Sequence, residues 1–265
     1  MNKQRFYKVF VWNFISQRNQ MMREFLFVAL VFLAFMLLPQ IGNLFSATVS
    51  QETLENMMPI IALTSGLFLL RKASDICYNM NTKSSFVTYS MLPATKAEKY
   101  FVNVIFQTVF RIVIILLGIV AADIVQYAVC YVITNEAFCG TKMLFHLLTS
   151  FPDLFSFLYV LTLLIFIQST FVLGGCFFRR HAMLLTVLSW FIIPMLLSLL
   201  AGGVMYSIIT LAEGNGYVVY IEPLVEAESL DMLMSSICIL LTIISYWLSY
   251  VFFCRMQIIN NRWIN

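Results

Sequence analysis

Apolar residues run through this chain in long stretches separated by short polar ones. Residues 25–45, 54–71, 101–126, 154–178, 181–211 and 232–254 each hold about the 20 apolar residues that carry a helix across a bilayer. Ahead of the first stretch the period changes. Phe6, Tyr7, Phe10, Val11, Phe14 and Ile15 share one side of a helical projection, and Arg5, Lys8, Ser16 and Asn19 lie opposite. This predicts an amphipathic leader over residues 1–24, lying flat in the interface with its basic residues toward headgroups. The alternative is an amphipathic helix packed on neighbouring spans.

Composition agrees with lipid as the solvent. Of 265 residues, 61% are hydrophobic and 11% charged, and the mean hydropathy is +0.89. A water-soluble globule could not hide that much apolar surface. The reading is an all-α integral membrane protein with six transmembrane helices in one domain.

Charge sets the expected orientation. Lys3, Arg5, Lys8, Arg18 and Arg23 precede the first span, and Arg71, Lys72, Lys83, Lys96 and Lys99 lie between the second and third spans, at or within the loop of residues 72–100. Arg179 and Arg180 separate the fourth and fifth spans, and Arg255 and Arg262 follow the sixth. The opposite segments carry Glu52, Glu55, Glu136, Asp153, Glu213 and the acids of an outer loop at residues 212–231, with Lys142 as their base. Basic residues collect on the cytoplasmic side, so both termini are expected there. A basic stretch before an apolar run also describes a signal peptide, but here both parts are too long for one.

Several spans carry polar exceptions. Arg111 in the third span either lines a polar path, contacts a partner helix, or snorkels to the nearer, inner end, which is the preferred reading. Gln168 and Ser169 are expected to bond between helices, and Gly174-Gly175 marks a close helix contact or a helix end. Pro194 should bend the fifth span. Cys130 and Cys139 fall near the outer face, where they either pair or stay free thiols.

Catalytic motifs are missing. The chain has no H-E-x-x-H zinc site, no G-x-S-x-G elbow and no P-loop. No cofactor, metal or nucleic-acid partner is expected, and any ATP-driven work needs a second polypeptide.

The loop before the third span is the most informative segment. Thr95-Lys96-Ala97-Glu98 fits a capping box, and Pro93 biases Leu92 toward an extended backbone. A helix should therefore start at Lys96 and continue into the third span, with a shorter helix within residues 84–91 ahead of it. Short helix, sharp break and long rod make the layout of a lever.

The stretch SFVTYSMLPATKAEKYF, from Ser85 to Phe101, resembles the first cytoplasmic loop of ABC-2-type permeases, the membrane subunits of bacterial ABC exporters with the type V fold. FIQSTFVLG, from Phe166 to Gly174, followed by Phe178-Arg179-Arg180, is similar to the end of the fourth span in that family. Thr95 stands where serine is commoner, which leaves the cap intact. The resemblance implies a permease in the bacterial inner membrane that dimerises with a second permease chain and binds a separate ABC ATPase. On it, Ser85, Phe86, Tyr89, Met91, Leu92 and Pro93 press into the ATPase. Thr95, Lys96, Glu98 and Lys99 begin the helix that carries the motion into the third span. The surface of this segment is expected to face the cytosol and add little to packing. A membrane scaffold or an intramembrane enzyme are the competing classes.

Overall fold

The computed structural model describes residues 3–38, 51–77, 83–134, 139–149, 154–178, 181–214 and 227–255. They form α1 (Lys3–Leu37), α2 (Gln51–Ser74), α3 (Lys83–Ser90), α4 (Lys96–Ile105), α5 (Arg111–Thr134), α6 (Gly140–Thr149), α7 (Leu154–Phe177), α8 (Ala182–Gly214) and α9 (Ala227–Arg255). A π turn, Phe106–Phe110, joins α4 to α5 without a break. Six helical segments are long and apolar enough to cross a membrane.

The leader and the first span are one helix. At 35 residues α1 is about 52 Å long, well beyond the hydrocarbon thickness. Its first half buries Val9, Asn13 and Gln17, one stripe at four-residue spacing, while Tyr7, Phe14 and Ile15 stay exposed beside it. The stripe packs on α4 and the π turn, where Phe10 meets Phe106 at 4.9 Å and Phe110 at 5.5 Å between ring centroids. Residues 39–45 of the expected first span lie outside the described residues.

Two apolar clusters hold the spans together. Val28, Phe32 and Met36 of α1 interlock with Met58 and Ile61 of α2 and with Ile115, Ile119 and Ala122 of α5. At the end of the molecule richer in lysine and arginine, Ala73 and Cys77 pack with Phe171 and Cys176 of α7, Phe253 of α9, Tyr89 and Tyr100. Close approach depends on Gly175, where an added Cβ would run into the Ser74 carbonyl of α2, and on Gly174, where it would strike Thr186 of α8. The glycine pair is a three-helix contact.

Other expectations shift. The outer loop is shorter than residues 212–231, because α8 continues to Gly214 and α9 begins at Ala227; residues 215–226 lie outside the described ones. The third span starts at Lys96 and reaches Thr134 with its helical extension. Between it and the fourth lies an unanticipated helix, α6, because its N-terminal stabilisation comes from α5. Asp123 accepts from the backbone N–H groups of Gly140 (2.8 Å) and Thr141 (3.0 Å) and from the Thr141 hydroxyl (2.7 Å). Cys139 also faces Asp123, whereas buried Cys130 accepts from Gln126, and the two are not joined in a disulfide.

Candidate functional site

The corner between α3 and α4 is built by local chemistry. Thr95 has an extended backbone (φ −70°, ψ 156°); its hydroxyl accepts from Glu98 N–H at 3.3 Å, and the Glu98 carboxylate accepts from Thr95 N–H at 3.0 Å. Both halves of the capping box are therefore made. Upstream, Met91 N–H donates to the Val87 carbonyl (3.0 Å) and Ala94 N–H to the Leu92 carbonyl (2.8 Å), turning the chain tightly around Pro93.

Two lysines lock this corner. Lys99 Nζ donates to the carbonyls of Tyr89 (2.9 Å) and Ser90 (3.1 Å), a cation at the C-terminus of α3. Tyr89 returns the contact, its hydroxyl donating to the Lys99 carbonyl at 3.1 Å, and its ring lies 5.6 Å from that of Trp12 in α1. Burial pushes the Tyr89 phenol well above its ordinary pKa, so it stays a donor. Lys96 Nζ donates to the Cys254 carbonyl near the end of α9 at 2.9 Å.

These contacts correct the expectation of a solvated lever. Tyr89 is 1% exposed, Glu98 2% and Lys99 8%: Tyr89, assigned to the contact surface, and two residues of the helix start are buried in packing. The expected helix–break–helix layout is present, but its aromatic and lysine side chains reach α1 and each other. Leu92 is half-buried in the same apolar cluster. Met91, 77% exposed, with Val87, Ser90, Pro93, Thr95 and Lys96, forms the surface left facing outward. The side chains of Ser85 and Phe86 lie outside the described residues.

Behind the corner runs a buried polar chain. Asn13 donates to Asn103 (2.9 Å), and Asn103 to the Ile76 carbonyl at the end of α2 (3.3 Å). One turn on, Gln107 in the π turn points to the Asp75 carbonyl at 3.5 Å and accepts from Arg111 Nε at 3.2 Å. Arg111 also donates to Gln17 (3.1 Å) and ion-pairs with Glu24, both on α1. Glu24 in turn holds Lys72 of α2 at 2.7 Å, and Lys72 lies 3.6 Å from Asp75. Burial raises the pKa of Asp75, against the pull of Lys72 and Arg71.

The π turn lets one helix face supply all three donors. In an α-helix a four-residue spacing drifts by about 40° per step. The wider winding of Phe106–Phe110 offsets that drift, so Asn103, Gln107 and Arg111 all reach toward α1 or α2.

Arg111 does not snorkel. With its side chain 3% exposed it is held among Gln17, Gln107 and Glu24, partners that α1 and its own helix supply beside it. Gln168 bonds across helices, to Thr108 at 2.7 Å. Ser169 does not: its hydroxyl donates back to the Phe166 carbonyl of its own helix at 2.7 Å, the usual satisfaction of a mid-helix serine. Glu24, Lys72 and Asp75 were missed, although a carboxylate at the edge of the first span is the natural counterpart of an arginine inside the third.

Among the described residues no group of three or more His, Cys, Asp or Glu side chains could hold a metal ion. Comparison of the chain with known protein families, curated proteins and solved structures finds no match.

Proposed function

We propose that this chain is the permease subunit of an ABC-type exporter, working as a dimer in a bacterial cytoplasmic membrane and driven by a separate cytoplasmic ATPase. The observation that carries this reading is the α3–α4 corner: a capped, doubly locked elbow with Met91, Val87 and Pro93 facing outward among polar side chains, continuous through the π turn with a membrane-length helix. A push on Met91 and its neighbours would move α4, and the Asn103–Gln107–Arg111 series would pass the displacement to α1 and α2. Lys96 and Lys99 act by fixing the elbow to α9 and α3, which makes the corner move as one piece. The chain contains no P-loop, so the energy for that push comes from the partner.

The test separates contact from folding. Met91→Glu and Val87→Glu alter exposed positions, so expression and membrane insertion should match the unaltered chain, while co-purification of an ATPase from native membranes and its transport-stimulated ATP hydrolysis should fall severalfold. Tyr89→Asp is unsuitable, because it would strand a charge in the core. Unchanged association and hydrolysis in both surface variants would remove the coupling role and favour a membrane scaffold.

A further inference from the structure

A cavity of about 450 Å³ opens between α1, α2 and α5. Arg23, Arg71, Lys72 and Arg111 line it together with one carboxylate, Glu24. On each of the three helices an apolar lining residue stands about one turn deeper into the span: Phe27 after Arg23, Phe68 before Arg71, and Ile114 and Ile115 after Arg111. The cavity is therefore cationic at the end toward the basic loops and hydrocarbon-like deeper in the span, at the depth where the apolar stretches of α1 and α2 give way to charge.

The charges do not cancel. Glu24 is taken by both Lys72 and Arg111, and Asp75, beyond the lining, takes Lys72 again. Arg23 and Arg71 remain, both exposed residues with no hydrogen bond or ion pair to a described side chain, although Asp75 attracts Arg71 at longer range. Two free guanidinium forks on neighbouring helices suit a phosphate, whose oxygens accept paired N–H donors. A soluble anion would satisfy the arginines and leave water against Phe27 and Phe68. An acyl chain attached to the phosphate would cover that wall as well.

We propose that this cavity binds an anionic phospholipid, with the phosphate on Arg23 and Arg71 and an acyl chain along Phe27, Phe68 and Ile114. Seated there, the lipid bridges α1 and α2 directly beside the Glu24–Arg111 pair. The inference is independent of the transport reading, since it needs only a membrane and this cavity.

Native mass spectrometry of the full chain, delipidated in detergent and supplied with dioleoyl-phosphatidylglycerol, tests it. One retained lipid is expected. Arg23→Gln with Arg71→Gln should weaken its binding roughly thirtyfold, the loss of two basic contacts near a membrane surface. Lys8→Gln with Lys142→Gln removes the same charge at exposed, remote positions and should leave binding unchanged. Phe68→Glu puts a carboxylate where the uncharged acyl chain would lie, a desolvation penalty, and should also abolish the adduct, with retained helicity by circular dichroism as the folding check. Dioleoyl-phosphatidylcholine should bind at least tenfold more weakly, and millimolar inorganic phosphate should not displace the lipid. Equal losses in the two double variants, equal binding of phosphatidylcholine, or displacement by inorganic phosphate would each overturn the proposal, the last in favour of a free-phosphate site.

Discussion

Arg111 shows what a single residue decides in this molecule. It was visible in the sequence as a charge within an apolar stretch, but its partner was not, because Glu24 lies 87 positions away and reads as part of the basic leader. The structure makes Glu24 the hub, since one carboxylate serves both Arg111 and Lys72. Substituting the hub leaves Arg111 without a carboxylate and Lys72 with only its 3.6 Å contact to Asp75, whereas substituting Arg111 leaves Glu24 with Lys72. Removing one partner of a buried pair costs about 3–5 kcal/mol, so Glu24→Met should lie in or above that range and Arg111→Met below it. Thermal unfolding in detergent checks the order: a larger drop for Arg111→Met would show that the arginine, not the glutamate, organises the pair.

At the scale of elements, local signals were legible and distant ones were not. The capping box at Thr95 and Glu98 and the break at Pro93 are short-range devices, so both could be read from adjacent letters. The π turn carries no such signature, and α6 depends on Asp123, a side chain from the preceding helix. The leader was expected to turn Phe6, Tyr7, Phe10, Val11, Phe14 and Ile15 to one side, but the stripe it buries is Val9, Asn13 and Gln17, set by what α4 offers opposite it. The glycines make the same distinction between sequence and neighbourhood. Gly175 and Gly202 both belong to Gly-Gly pairs within apolar helices, yet a Cβ at Gly175 collides with backbone and one at Gly202 meets nothing within 4 Å. Gly175→Ala should therefore separate α2 from α7 and lower the melting temperature by several degrees. Gly202→Ala should be neutral or slightly stabilising, since alanine is the better helix former by about 1 kcal/mol. Equal effects at the two sites would show that helix propensity, not helix contact, governs both.

For the whole molecule, the span count and charge segregation were readable because a bilayer imposes them on every crossing helix, whichever helices become neighbours. The orientation inferred from charge can be tested with cysteines placed in a cysteine-depleted chain. Met91→Cys should resist an impermeant thiol reagent added to intact cells, and Lys142→Cys should react. The reverse pattern would put the α3–α4 corner out of reach of any cytoplasmic ATPase.

The remaining question at this scale is what covers α8. It is the least buried of the six membrane-length helices, with every side chain from Phe191 to Leu200 exposed, and its serines at 198 and 207 donate to carbonyls of their own helix. Such a surface suits lipid or another chain equally well on polarity. Gly202 and Gly203 add a reason for a chain, since small residues on an open helix face let a second backbone approach closely. A permease reading requires one, because a two-fold path needs two walls, and an isologous contact would bring α8 against its own copy. Leu199→Cys, in the cysteine-depleted chain and oxidised in native membranes, should then form a disulfide-linked species of twice the mass. Leu30→Cys on α1, also exposed, serves as the control and should not. Crosslinking at neither position would leave α8 to the lipid, and equal crosslinking at both would mean random collision rather than a dimer.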